Sequence, residues 1–158
     1  MTTAALFLLL ALAAQAQPVQ EFCAPCHSGP SEEFDGHPHK AKGLSCDACH
    51  GPSVKHRESQ GDTPPDRIAG PLQVPALCGT CHAAQLAAYK PSKHYETLLA
   101  RIEGKRAPNC STCHSTHSAR SLAAIQAQCQ RCHESLPATC KPSACASCHN
   151  PHSSKTGK

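Results

Sequence analysis

The chain contains no tryptophan, two tyrosines and three phenylalanines in 158 residues. So few large rings cannot fill the interior of a domain this long. Its only methionine is Met1, so a mature chain that has lost its first residue has no thioether sulfur to offer a metal. Long apolar runs are missing too. The longest, Ala4 to Ala14, is too short to span a bilayer. It follows an n-region whose one positive charge is the terminal amine and precedes Ala14-Gln15-Ala16, an A-x-A cleavage pattern. Residues 1–16 are therefore expected to be a secretory signal and residues 17–158 a single mature domain with no stable membrane insertion. Acidic residues number 11 against 15 Lys and Arg, a formal net charge of +4. Taken alone, that excess would suggest nucleic acid or a membrane surface as partner.

Cysteine and histidine are abundant, at 13 and 12 residues. Twelve of the cysteines fall in six copies of Cys-x-x-Cys-His. The pairs are Cys23 and Cys26, Cys46 and Cys49, Cys78 and Cys81, Cys110 and Cys113, Cys129 and Cys132, and Cys145 and Cys148, followed by His27, His50, His82, His114, His133 and His149. The motif is a covalent attachment site for c-type haem. Two sulfurs on one short turn form thioethers to the porphyrin, and the next imidazole lies under the iron as proximal ligand. A zinc ribbon does not need a His directly after every second Cys, and a disulfide framework needs none. Export agrees with this reading, because haem is attached to such chains outside the cytoplasmic membrane.

Six haems on the 142 residues left after the signal amount to about 24 residues each. The cofactors are then expected to be the core, with the polypeptide as a thin wrap and the apoprotein largely unfolded. They also change the charge. An oxidised haem with two propionates contributes a net −1, so six take +4 to −2. The basic residues read better as partners for buried propionates than as a nucleic-acid surface.

The second axial position of each iron decides between carrier and enzyme. With Met/His ligation closed, six spare imidazoles remain for six irons: His37, His39, His56, His94, His117 and His152. The expectation is that all six haems are bis-His. His117 and His152 follow a proximal His by three residues and cannot easily reach the far face of their own haem, so each should serve a neighbour. His37 and His39 form a His-Pro-His, of which at least one should be a ligand.

The motifs form three pairs, over residues 23–56, 78–117 and 129–152, a degenerate repeat. The third pair lacks an intervening His, so His37 or His39 should cross to another pair, with the Cys129–Cys132 haem the candidate for the deficit. Gln60 to Pro75, rich in Pro and Gly, reads as a connector. Helices are expected over residues 92–103, capped by Ser92, and 121–132, capped by Ser121. No segment alternates as a strand. The fold class expected is mainly α with much irregular loop and little or no β-sheet. Cys140, the thirteenth cysteine, reads as an unpaired thiol.

Ser92-Lys93-His94 before a motif, the Cys-x-x-Cys-His-x-x-His endings at His117 and His152, and Cys49-His50-Gly51-Pro52 followed by His56 resemble the doubled-motif multihaem cytochromes c. That group includes small periplasmic carriers and decahaem conduits. The resemblance implies bis-His haems in close pairs and electron transfer in anaerobic or extracellular respiration. The partners it implies are a quinol-oxidising membrane cytochrome and a terminal reductase or outer-membrane complex, with the periplasm, or else the cell surface, as location. A filament of such units, with His37, His39 or Cys140 acting between subunits, is one alternative. A reductase with one open haem is the other.

Overall fold

The structure, a computed structural model, describes residues 19–100, 107–135 and 145–153, and the backbone of 155–156. The expected signal, Ile102 of the first expected helix, and Cys140 lie outside the described residues.

Short helices follow one another, separated by turns and by irregular segments such as residues 59–73. In chain order they are α1 (Val19–Cys23), α2 (Ser28–Asp35), α3 (Pro38–Ala41), α4 (Cys46–His50), α5 (Val54–Glu58), α6 (Val74–Gly79), α7 (Ala83–Tyr89), α8 (Lys93–Ala100), α9 (Cys110–Cys113), α10 (Leu122–Gln130) and α11 (Cys145–Cys148). One small antiparallel ladder joins β1 (His149–Asn150) to β2 (Lys155–Thr156). The mainly helical, loop-rich class is as expected. No helix among the described residues is long and apolar enough to cross a membrane.

Such short helices are marginal alone, so their ends need fixing. Ser92 Oγ accepts from the Tyr95 N–H at 3.1 Å and starts α8. Ser121 Oγ accepts from the Ala124 N–H at 3.2 Å and starts α10. Both caps were legible in the sequence. Asn109 begins α9 with a capping box, exchanging hydrogen bonds with Thr112. Its amide also donates to the Pro71 carbonyl at 3.1 Å, tying α9 to the turn before α6.

The conventional core is very small. Among the described residues, the buried apolar side chains are Phe34, Val74, Tyr89 and Leu98, and no large side chain is fully enclosed. Leu122 of α10 and Leu99 of α8 are 68% and 57% exposed. Four buried apolar side chains cannot offset the ordering entropy of the residues described. Something else must fill the interior, as the aromatic-poor composition requires.

The helices pack by motif. α1 packs on α4, α6 on α9, and α10 on α11, which joins the two motifs of each sequence pair. α9 also packs on α10, linking the second pair to the third. Gly79 lies at the contact of α6 with α7, where a Cβ would sit 2.3 Å from Leu86 Cδ2.

Tyr89 closes the small apolar cluster of the middle pair. Its hydroxyl donates to the Pro108 carbonyl, and its ring meets Tyr95 edge-on at 5.2 Å. Burial pushes its phenol up to about 12 from 10. A raised folded pKa means stability that is complete below pH 10 and is lost as pH climbs towards 12. Tyr89→Phe should cost about 1 kcal/mol at neutral pH by leaving the Pro108 carbonyl unpaired. It should also flatten the alkaline loss of stability, as denaturant melts of the haem-loaded protein across pH 9–12 would show.

Candidate functional site

Each attachment motif is a single closed turn. The N–H of His27 donates to the Cys23 carbonyl, and those of His82, His114 and His133 donate to Cys78, Cys110 and Cys129, each at 2.9 Å. The second motif lies wholly within α4. A turn of this kind lets both sulfurs and the imidazole reach one macrocycle, which is what haem attachment requires.

The thiols line up in single file. Cys23 and Cys46 are within hydrogen-bonding reach, and burial first, then Cys46, pushes the Cys23 thiol up. Cys78 and Cys110 hydrogen-bond, which drives Cys78 up and Cys110 down. Cys129 is raised by burial and by Cys145 next to it. Between pairs, Cys49 lies within electrostatic reach of Cys81, and Cys113 of Cys132. The six motifs thus neighbour one another in sequence order, joined alternately through first cysteines and second cysteines.

The imidazoles meet in five pairs of nearly one spacing. Ring centroids lie 6.0 Å apart for His27 and His56, 5.9 Å for His82 and His39, and 6.1 Å for His50 and His117. They lie 6.1 Å apart for His133 and His94 and 6.0 Å for His114 and His152. Each pair matches one motif histidine with one spare histidine. Two metal–imidazole bonds of about 2 Å on opposite sides of one ion, with about 1.1 Å from each nitrogen to its ring centre, separate centroids by about 6.2 Å. The centroid separations match that spacing five times. No group of three or more metal-binding side chains converges among the described residues, which is unlike a zinc ribbon.

The pairing runs across the sequence pairs. His39 of the first pair faces His82 of the second, and His117 of the second faces His50 of the first. His94 of the second faces His133 of the third, and His152 of the third faces His114 of the second. Only His27 and His56 close within their own pair. The sequence argument that His117 and His152 would reach a neighbour's motif matches this arrangement. The imidazole expected to be missing opposite His133 is supplied by His94, and it is His149 that faces no other ring among the described residues.

His37 is placed differently. It is buried, 8% exposed. Its Nδ1 accepts from the His39 N–H at 3.1 Å, and its Nε2 lies 3.3 Å from the Ser115 carbonyl, where it can donate. Its ring stacks on Phe34 at 5.5 Å and lies 4.7 Å from His39, closer than any of the five pairs. Both its nitrogens are occupied.

Burial lowers the pKa of His39, His94, His114 and His117. All four are thereby held towards the neutral form that can ligate iron.

Several supporting groups had no signature in the sequence. The residue 60–75 segment, read as a connector, orients two imidazoles. His56 Nδ1 lies 2.6 Å from the Thr63 carbonyl, and His50 Nδ1 lies 3.1 Å from the Arg67 carbonyl. A carbonyl that accepts from Nδ1–H turns Nε2 towards the metal. Backbone carbonyls leave no trace in side-chain patterns, so only the folded chain reveals them. Asp66 pins the segment: its Oδ2 accepts from the Ser53 N–H at 2.7 Å, and a Cβ on Gly51 would lie 2.9 Å from Asp66 Cβ. Gly51 has φ +75°, which favours glycine in any case.

Arginines complete the surroundings. Arg67 and Arg120 donate to the carbonyls of Cys49 at 3.3 Å and Cys113 at 3.1 Å, the second cysteines of the second and fourth motifs. Arg57 Nε, next to His56 in sequence, is a buried donor with no protein acceptor. A haem propionate at the first motif would give it one. A cavity of about 780 Å³ opens at Cys132, lined among others by Pro71, Leu98, Asn109, Thr112 and Arg131. It is large enough for a planar macrocycle and has a cationic edge.

The profile of the cytochrome c3 family matches residues 37–134, more than half of the chain. The chain belongs to the cytochrome c3 family. It is therefore a multihaem cytochrome that carries c-type haem and serves electron transfer. Members of that family are typically periplasmic or extracellular. No curated protein and no solved structure matches the chain. The matched span contains four of the six motifs in full; the first and the last lie outside it.

Asp66→Ala should release residues 60–75 and with them the carbonyls that orient His50 and His56. The expected result is a loss of about 1–3 kcal/mol in stability. The redox potentials should also move for two haems and not for the others, a change that potentiometry of the loaded protein would separate from a purely structural loss.

Proposed function

We propose that this protein is an exported hexahaem electron carrier, with five of its irons held between the imidazole pairs His27/His56, His50/His117, His82/His39, His114/His152 and His133/His94. The observation that carries the reading is the common spacing of those five pairs, 5.9 to 6.1 Å, each joining a motif histidine to a spare one. Haem, once attached, supplies reversible one-electron chemistry.

The residues do the remaining work. Twelve cysteines anchor the macrocycles. Motifs that neighbour one another in sequence order line up a path from the first pair to the third. Two imidazoles per iron leave the coordination unchanged between oxidation states, which keeps the structural cost of each transfer low. The half-buried Arg57 and Arg120 and the exposed Arg67 can offset propionate charge and thereby spread the potentials. In this reading the partners are redox proteins, a quinol-oxidising membrane cytochrome at one end of the file and a terminal reductase or outer-membrane complex at the other. The periplasm is the corresponding compartment.

Intact mass of the purified protein should show six attached haems, and film voltammetry should integrate to six electrons per chain. Fewer than six of either would contradict the hexahaem reading. His56→Met should raise one potential by on the order of 0.1 V and leave the haem count unchanged. A uniform shift of all six would mean that His56 does not serve a single iron.

A further inference from the structure

Charge is divided unevenly along the file of motifs. Residues 19–66, which carry the first two motifs, hold 8 acidic and 4 basic side chains. Residues 67–153, which carry the other four, hold 3 acidic and 9 basic. The formal charges of the two parts are therefore −4 and +6. An oxidised haem adds a net −1, so two haems on the first part and four on the second leave −6 and +2. Reduction makes both parts more negative and keeps the first the more negative. The ion pairs among the described residues are Lys40–Asp35 and Lys93–Glu96, each at 2.6 Å. Each lies within one part, so neither cancels charge between the two.

The structure places these charges at particular motifs. Glu32 and Glu33 are exposed on α2, which starts directly at His27 of the first motif. Glu33 also lies within electrostatic reach of His117, the ring that faces His50 of the second motif. Lys90 and Lys93 are exposed where α7 gives way to α8. Lys93 precedes His94, whose ring faces His133 of the fifth motif. Arg131, exposed as well, lies inside the fifth motif and edges the cavity at Cys132. Because the motifs neighbour one another in sequence order, the acidic groups stand at one end of the file and the basic groups towards the other.

We infer that the file is electrostatically polar, and that its first-motif end docks a cationic redox protein while its third-pair side docks an anionic one. This rests on the electron-carrier reading above. Surface charge of opposite sign speeds encounter and turns the partner to the matching end before contact. Two docking surfaces of opposite sign let both partners sit on one chain together, so that an electron can enter at one end and leave at the other.

The test uses the haem-loaded protein, with six haems verified by intact mass, and two one-electron probes: cationic mitochondrial cytochrome c and anionic rubredoxin. Each transfer moves one electron from a ferrous haem to the ferric iron of the probe. Stopped-flow rates with both probes should fall by about tenfold or more between about 10 mM and about 0.2 M ionic strength. Glu32→Gln/Glu33→Gln should slow transfer to cytochrome c about threefold or more and leave rubredoxin unaffected. Lys90→Gln/Lys93→Gln should do the reverse. Redox-inert zinc-substituted rubredoxin in excess should not slow cytochrome c. Carbodiimide cross-linking of the unmodified protein, which needs no variant to fold, should join cytochrome c to carboxylates of residues 19–66 and rubredoxin to lysines beyond residue 67.

The outcomes separate the two claims. Cross-links from both probes to the same end, inhibition of cytochrome c by zinc rubredoxin, or rates indifferent to salt would overturn the polarity and leave the carrier reading standing. Cross-links at the expected ends without electron transfer to either probe would overturn the carrier reading and leave the polarity standing.

Discussion

Everything in this fold depends on imidazoles that are far apart in sequence coming to face each other about 6 Å apart. Four buried apolar side chains cannot hold eleven short helices together. A metal between two imidazoles can, because each such bridge is strong, directional and joins segments remote in sequence. The pairs His82/His39 and His50/His117 bind the first third of the chain to the second, and His133/His94 and His114/His152 bind the second to the third. In the proposed reading the chain would be interlocked by its cofactors more than by its side-chain packing. This explains why helices as exposed as α10 persist.

The same bridges serve the activity. A carrier needs its irons close to one another, shielded from change on reduction, and set to different potentials. Crossed ligation, as proposed, would bring neighbouring motifs together, and the Arg67 and Thr63 carbonyls lie where Nδ1 of His50 and His56 can donate to them and orient the rings. Charge does the rest, through arginines set at the ends of the motif helices. Structural and functional demands thus fall on the same few residues. Substitutions at the distal histidines should therefore disturb stability and potential together.

Much of this was legible in the sequence. Six Cys-x-x-Cys-His motifs named the cofactor, the scarcity of aromatic residues implied a haem-filled interior, and Ser92 and Ser121 marked two helix starts. The three-residue offset of His117 and His152 from a motif histidine argued for service to a neighbour, and both rings do face another motif's histidine. Other features could not be read. A count of six spare histidines for six irons gave no sign that His37 hydrogen-bonds through both nitrogens, because that depends on Ser115, 78 residues away. Nor did the Pro- and Gly-rich residues 60–75 show that their carbonyls orient histidines, since main-chain acceptors carry no residue signature. Nor could residue spacing show which imidazole crosses to the third pair: the ring that faces His133 is that of His94, 39 residues away, and only the fold brings them together.

The account's central claim is that five irons are closed by imidazole pairs, four of them crossed between sequence pairs. Low-temperature EPR of the fully oxidised protein, with six haems verified by intact mass and the signals integrated against a spin standard, addresses it directly. The account predicts at least five low-spin irons. Six low-spin irons would show that the sixth is closed as well, and two or more high-spin irons would contradict the crossed pairing on which the whole fold is argued.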